Sequence, residues 1–276
     1  MHDRSSIGAT LLLLAAFALT ASDVQAWDDS KYPDWKGQWT RTVAPRWVPG
    51  GTKLPLTPEY QAIYEANLKE QAAGKQGMDP TYTCLSPGMP RIMNMYEPME
   101  ILITPDTTYI LTQHIHDYRR IYTDGRKLPA NIEPTFAGYS IGKWIDEDGD
   151  GRYDVLEVET RALKGPRTYD STGIPFHEDN QTVIKERIYR DKSDPNNLFD
   201  DITVIDNALT GPWTVKKTYR RVSDPRPVWR ESVCAENNNH VEIAKEGYML
   251  SADGLLMPTR KDQAPPDLRY FNQPQK

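Results

Sequence analysis

The chain has 276 residues, of which 38% are hydrophobic, and its formal net charge is −6 at pH 7. This mild acidity argues against nucleic-acid binding, for which a basic stripe is the expected footprint. The length allows one large β-rich domain or two small ones, and it is ample for a buried core.

The N-terminus has the pattern of a secretory signal peptide over residues 1–26. Arg4 precedes an apolar run that ends at Leu19, and Val24-Gln-Ala26 places small residues at the cleavage positions. No window after this segment approaches the roughly 20 apolar residues of a membrane span. We therefore expect a periplasmic or secreted protein whose mature chain begins near Trp27, forms a single domain over 27–262 and ends in a loose tail over 263–276.

Two early features concern the fold. Gly37-Gln38-Trp39 resembles the Gly-x-Trp start of lipocalin barrels, although a tryptophan that plugs one end of a sheet gives the same triplet. One helix is predicted after Thr57, because Thr57 suits the cap, Pro58 the first helical position and Gly74 the stop. Four apolar residues recur there at helical spacing, namely Tyr60, Ile63, Tyr64 and Leu68.

From Met99 onward the pattern changes to β-strands. β-Branched and aromatic residues alternate between turn signals such as Pro105-Asp106 and Asp124-Gly125. Strands without intervening helices predict a mainly β protein, an antiparallel meander that forms a lipocalin-like barrel or a strongly curved sheet, with one covering helix. The predicted strands are 99–104, 107–122, 138–145, 153–162, 182–190, 201–205, 213–222 and 229–235.

The segment 146–157 has the spacing of a twelve-residue calcium loop. Carboxylates occupy positions 1, 3, 5, 9 and 12, Gly151 occupies the turn at 6, and a backbone carbonyl is available at 7. The expected ligands are Asp146, Asp148, Asp150, Arg152 (through its carbonyl), Asp154 and Glu157. Because strands flank the loop, we expect structural Ca²⁺ that pins a β-hairpin; the alternative is an acidic hairpin tip without an ion.

His114 and His116 are the first candidates for chemistry. On one continuous strand, residues two apart share a face, so Tyr118 and Arg120 would continue the face of the two histidines. This polar row either lines a reactive cavity or lies in solvent behind an apolar core, and alternation does not decide between the two. Arg119, Arg120 and Arg126 are further candidates that could stabilise an anion, with surface ion pairing as the alternative.

His-x-His is also a spacing of strand-borne zinc sites, and His177 could supply a third ligand. A metal-free acid–base pair is favoured over a transition metal, because one imidazole near neutral pKa can donate a proton while another accepts one. The sequence contains no Cys-x-x-Cys and no dinucleotide fingerprint.

Cys84 and Cys234 are the only cysteines. In an oxidising compartment an isolated pair predicts one disulfide, here closing a loop of about 150 residues; two buried free thiols are the alternative.

Several strings resemble a family of uncharacterised secreted bacterial proteins. The most specific is Arg119-Arg-Ile-Tyr-Thr-Asp-Gly-Arg126, and the resemblance spans most of residues 80–235. In that family the acidic loop is usually a shorter turn, so calcium would be particular to this member. The resemblance implies a compartment and a domain, and no reaction. The other strings are Cys84-Leu-Ser-Pro-Gly88, Gly138-Tyr-Ser-Ile-Gly-Lys-Trp144, Val158-Glu-Thr160, Glu186-Arg187, and Pro212-Trp213 before Glu231-Ser-Val-Cys234.

Two functions follow as hypotheses. The first is an enzyme with cofactor-independent acid–base chemistry (lyase, hydratase or isomerase) acting on a small hydrophobic or aromatic molecule. Its candidate residues are His114, His116, Tyr118, Arg120 and His177. The second is a lipocalin-like protein that carries such a molecule without transforming it.

Overall fold

Nine strands close into a β-barrel in which each strand pairs with its neighbour in the chain and the ninth pairs with the first. The computed structural model describes residues 27–114, 118–230, 232–234, 239–243 and 246–266. The predicted signal peptide and most of the predicted tail lie outside these residues. The barrel strands are β1 Gln38–Arg41, β2 Met99–Ile103, β3 Thr107–Thr112, β4 Tyr118–Tyr122, β5 Tyr139–Ile145, β6 Val155–Arg161, β7 Val183–Arg190, β8 Asn197–Ile205 and β9 Trp213–Arg221.

Alternation of buried and exposed residues explains why these segments are strands. Successive side chains point to opposite faces of a strand, so one face of each strand fills the barrel. In β8, for example, every second residue from Leu198 to Val204 is buried. The interior is packed with side chains, and Ile110, Leu156 and Ile202 have no exposed surface. The mainly β fold class and the lipocalin-like barrel are confirmed.

The prediction of one strand over 107–122 is wrong, because the chain reverses within it. β3 and β4 are antiparallel, and Leu111 on β3 lies opposite Tyr118 on β4. The reversal changes which residues face inward: Ile110 and Thr112 are buried on β3, whereas Arg119 and Ile121 are buried on β4. Both strands are alternating and carry aromatic residues, so the pattern continues across the turn and conceals it.

The predicted antiparallel meander has one exception. β4 and β5 are parallel, with Ile121 beside Ser140 and Tyr122 beside Ile141. Parallel neighbours need a crossover connection, and residues 123–138 provide it by returning along the barrel. All other neighbouring strands of the barrel are antiparallel.

The predicted helix is confirmed as α1, Pro58–Ala72. The side chain of Thr57 caps it by accepting a hydrogen bond from the backbone N–H of Tyr60. The helix packs against the connection between β6 and β7, where Asn67 Nδ2 donates to the carbonyl of Thr172 at 2.7 Å. Among the described residues, no helix is long and apolar enough to cross a membrane.

The predicted disulfide between Cys84 and Cys234 is present. The predicted strand at 229–235 is wrong for the residues described there. No strand of either sheet includes Trp229, Arg230 or residues 232–234. A separate three-stranded antiparallel sheet follows instead, formed by β10 His240–Ile243, β11 Glu246–Leu250 and β12 Leu256–Pro258. These three strands and β1 were not predicted from the sequence.

Candidate functional site

Aromatic side chains cover the end of the barrel where β5 ends and β6 begins. The ring of Tyr32 lies 5.4 Å from that of Trp144 and 5.0 Å from that of Tyr153, centroid to centroid. Trp35 lies beneath them, 5.0 Å from Trp144, and is almost fully buried. Edge-to-face and tilted contacts of this kind stabilise aromatic clusters, so this end of the barrel has a stable apolar wall.

Beside this wall lies a groove of about 900 Å³, which we call the outer groove. It runs over outward-facing side chains of β5 to β8 and reaches the turn after β4. Tyr32, Trp144 and Tyr153 form its aromatic wall. Its exposed and half-buried polar lining comprises Thr123, Arg126, Lys143, Glu157, Glu159, Lys185, Arg187, Asp201 and Thr203.

The basic side chains of the outer groove fall into two groups, those with a carboxylate partner and those without one. Arg187 pairs with Glu147, and Arg126 pairs with Asp124 while its guanidinium lies 3.9 Å from the ring centroid of Tyr122. Lys143 and Lys185 are exposed, and in the part of the chain that the structure describes neither has a carboxylate partner. The two ammonium groups are therefore available to a ligand.

A buried ion pair crosses the barrel interior from β4 to β7. The guanidinium of Arg119 binds both oxygens of Glu186, with Nη1 to Oε1 at 2.7 Å. Its remaining contacts are with the hydroxyls of Ser140 on β5 and Thr160 on β6. Because these partners engage both ends of the guanidinium, Arg119 is not available to a ligand inside the barrel.

Asp200 is a second buried acid, and it has no hydrogen-bond partner on either carboxylate oxygen. Burial and the nearby carboxylate of Glu186 raise the pKa of Asp200 well above its ordinary value, although Arg119 and Lys217 oppose the shift. Removal from water disfavours the charged form of an acid. Asp200 is therefore protonated in the folded protein at pH values where an exposed aspartate is ionised.

Lys217 lies opposite Asp200 on β9 and is itself buried. Its ammonium donates to the carbonyl of Trp47 at 2.7 Å and lies 4.2 Å from the centroid of the Trp47 ring. Burial lowers the pKa of Lys217 to about 8, although the nearby carboxylates of Asp170 and Asp200 oppose the shift. Asp200, Glu186 and Lys217 were not predicted as interior residues from the sequence, because a charged residue in an alternating strand usually faces solvent.

The predicted catalytic row does not form one face. His114 follows β3, and its Nδ1 lies 3.1 Å from Oε2 of Glu97. Tyr118 and Arg120 lie on the outer face of β4, where Tyr118 is 53% exposed and Arg120 contacts the rings of Tyr109 and Tyr118. The predicted shared face is wrong, because β3 and β4 are separate antiparallel strands and His114 does not lie on one continuous strand with Tyr118.

The other two predicted histidines lie elsewhere or cannot be placed. His116 is outside the described residues. His177 lies in the connection between β6 and β7, where its Nδ1 is 3.0 Å from Oδ2 of Asp179 and its ring is 5.1 Å from that of Tyr60. The catalytic roles of His114, His116, Tyr118, Arg120 and His177, and a transition metal at the histidines, stay predictions.

The acidic loop brings together three of its predicted ligands. One carboxylate oxygen from each of Asp146, Asp148 and Asp154 lies within 4.8 Å of the others. Asp146 also accepts hydrogen bonds from the backbone N–H groups of Gly149, Asp150 and Gly151, which fixes the turn.

The other two predicted carboxylates, those of Asp150 and Glu157, are not part of that group. The carboxylate of Asp150 accepts from the backbone N–H of Arg152. Glu157 lies on β6, opposite Lys143 and Arg187, and lines the outer groove.

Gly138-Tyr-Ser140-Ile-Gly142 has the Gly-x-Ser-x-Gly spacing of hydrolase nucleophiles, which need an exposed serine on a sharp strand-to-helix turn. Here Ser140 lies within β5, is buried, and is held by Arg119 and Thr160. Ser140 therefore accepts hydrogen bonds from Arg119 in the buried ion pair and does not lie at an exposed nucleophile turn.

No protein-family model matches the chain, and no characterised protein matches it significantly.

Proposed function

We propose that the protein binds a small aromatic molecule in the outer groove and does not transform it. The observation that carries this proposal is the groove itself, about 900 Å³ in volume with Tyr32, Trp144 and Tyr153 on one side. Small-molecule sites are usually concave, with volumes of about 300–1,000 Å³ and aromatic walls. The protein would thus use a lipocalin-like barrel but bind on its outer wall.

The packed interior supports an external site. A ligand cavity inside the barrel would leave its lining side chains in contact with empty space. Ile110, Ile121, Thr160, Ile184 and Asp200 instead have no accessible surface. The layers of the barrel that these residues occupy are filled by the protein itself.

The chemistry of the lining indicates the ligand class. Aromatic walls favour a flat ring, which stacks on or against Tyr32 and Tyr153. The free ammonium groups of Lys143 and Lys185 favour an acceptor or anionic substituent on that ring, and the exposed Glu157 favours a donor. We therefore expect substituted aromatic molecules with polar substituents to bind better than unsubstituted hydrocarbons.

A panel of phenolic and benzoic compounds, titrated by calorimetry and by tryptophan fluorescence, tests the proposal. Tyr153→Leu and Lys185→Gln should each weaken the best ligand about 2- to 10-fold, since aromatic and exposed polar contacts contribute about 0.5–1.5 kcal/mol. Tyr118→Leu is the matched control, because Tyr118 is an exposed tyrosine on β4 that does not line the groove.

Two results would contradict the proposal. Equal affinities in Tyr153→Leu and Tyr118→Leu would place the ligand elsewhere. Consumption of the ligand, detected by chromatography after incubation, would favour the acid–base enzyme instead. In that event, His114→Ala and His177→Ala variants would show whether the predicted residues carry the reaction.

We also propose that the acidic loop is a structural calcium site and that the protein is secreted. Calcium prefers carboxylate and carbonyl oxygens, and the convergence of Asp146, Asp148 and Asp154 supplies three of them. The loop joins β5 to β6, two strands that line the outer groove. Calcium would hold together the strands on which the proposed ligand lies.

A further inference from the structure

A second groove, of about 610 Å³, lies between α1 and the irregular segment before it; we call it the helix groove. It shares no lining residue with the outer groove. Apolar side chains line much of its wall: Val48, Leu54, Leu56, Tyr64 and Ile174 are half-buried or buried, and Leu68 is exposed. Its volume and its walls are those of a site for a small apolar molecule.

Positive charge lies at the rim of the helix groove. Arg46 and Lys53 both line it and are exposed, and within the described residues no carboxylate pairs with either. The Arg46 guanidinium lies close over Gly50, where a Cβ would be 3.1 Å from Nη1. Pro58, the first residue of α1, lines the same groove, so the positive end of the helix dipole adds to the charge there.

The one acid in the wall, Asp170, does not oppose an anion at the rim. Asp170 is buried, and its two carboxylate oxygens accept hydrogen bonds from the backbone N–H groups of Trp47 and Thr172 and from the Thr172 hydroxyl. The buried ammonium of Lys217, bound to the carbonyl of Trp47, also interacts favourably with this carboxylate. The charge of Asp170 is therefore balanced inside the protein.

We propose that the helix groove binds a free alkyl carboxylate, such as a short- or medium-chain fatty acid. The alkyl chain lies against Leu54, Tyr64 and Leu68, and the carboxylate lies at the rim with Arg46 and Lys53. This arrangement removes apolar surface from water while the anion keeps two cationic partners. It is a binding site separate from the aromatic-ligand site of the outer groove.

Calorimetric titration of the full-length mature protein with octanoate, octanol and octylammonium tests this assignment. These probes share a chain length and differ in head-group charge. Octanoate should bind about tenfold more tightly than either of the others, the gain expected from two partly exposed ion pairs. Comparable affinity for all three would overturn the proposal, and so would the absence of octanoate binding.

Variants then locate the site. Arg46→Gln combined with Lys53→Gln should weaken octanoate about tenfold, towards the affinity of octanol, and leave octanol binding unchanged. Arg226→Gln combined with Lys69→Gln is the matched control, because it removes the same charge from exposed residues outside both grooves. Equal losses in the two double variants would overturn the assignment. Tyr153→Leu should leave octanoate binding unchanged, so the two proposed sites can fail independently.

Discussion

Arg119 and Glu186 face each other across the barrel interior and form a bidentate ion pair whose side chains are 1% and 0% exposed. The two residues lie on β4 and β7, with β5 and β6 between them, and each intervening strand contributes a hydroxyl to the guanidinium. The pair therefore ties together four strands, including the parallel junction of β4 and β5.

Removing one partner of this pair should destabilise the protein strongly. Glu186→Gln leaves a buried guanidinium without its counter-charge, which costs about 3–5 kcal/mol in unfolding free energy. The double replacement Arg119→Met with Glu186→Leu should cost less than Glu186→Gln alone, because no uncompensated charge remains. Urea unfolding curves measure both. Glu159→Gln, which breaks the exposed pair with Arg161, is the control and should cost at most about 1 kcal/mol.

Asp200 should make stability fall with rising pH. Its pKa is higher in the folded protein than the ordinary value of 3.8, so the folded state holds a proton that the unfolded chain releases. The contribution of Asp200 to the unfolding free energy is complete below pH 3.8. It is lost as pH rises towards the pKa of Asp200 in the folded protein, by at most about 1.4 kcal/mol per pH unit. Asp200→Asn should remove this slope in unfolding free energies measured from pH 4 to 8. Asp201→Asn, on the outer face, should retain it; identical slopes in all three proteins would contradict the prediction.

Lys217 should titrate near pH 8 in the folded protein. Its pKa is lower than the ordinary value of 10.5, so the folded state releases the proton first. Unfolding free energy should consequently rise between pH 8 and 10.5 and show no contribution from this group to the pH dependence below that range. NMR titration of lysine side chains measures the midpoint directly. Lys216, the adjacent residue, is the internal control, because its hydrogen bond to Tyr189 raises its pKa; a shared midpoint above 10 would refute the assignment.

Calcium should raise the melting temperature, and chelation should lower it. A ligand that binds only the folded state stabilises it by about 2.7 kcal/mol at a concentration 100 times its Kd. Asp148→Asn should abolish the calcium-dependent shift in scanning calorimetry, whereas Asp224→Asn, an acid outside the loop, should not. A melting curve that chelator leaves unchanged in the parent protein would show that the loop is an acidic hairpin tip without an ion.

Much of the barrel could be predicted from the sequence because local rules determine it. The cap at Thr57 and the proline at Pro58 mark the start of α1, and alternation marks β5, β6 and β7 within two residues at either end. β8 begins at Asn197, four residues before its predicted start at 201. The polar residues Asn197 and Asp200 interrupt the apolar pattern of a strand, although Asp200 faces inward.

The candidate site was less predictable. Alternation shows that every second residue of a strand shares a face, but it does not show which of the two faces points into the barrel. A turn between Thr112 and Tyr118 reverses the chain, and Arg119 therefore faces the interior while Arg120 faces solvent. The partner of Arg119 lies 67 residues away on β7. Likewise, the outer groove joins Tyr32 to residues of β5–β8, because the segment before β1 reaches that end of the barrel, where the carbonyl of Lys31 accepts a hydrogen bond from the backbone N–H of Tyr153 at 2.7 Å.

Barrel closure itself constrains how such a chain is made. β1 is four residues long and lies between β2 and β9, whose last residue is Arg221. During synthesis from the N-terminus, some 180 further residues follow Gln38–Arg41 before its second neighbouring strand is complete. Until then the growing sheet has an unpaired margin, the kind of edge that invites pairing with other chains. A nascent polypeptide that stalls before β9 would thus expose this edge to pairing with other chains.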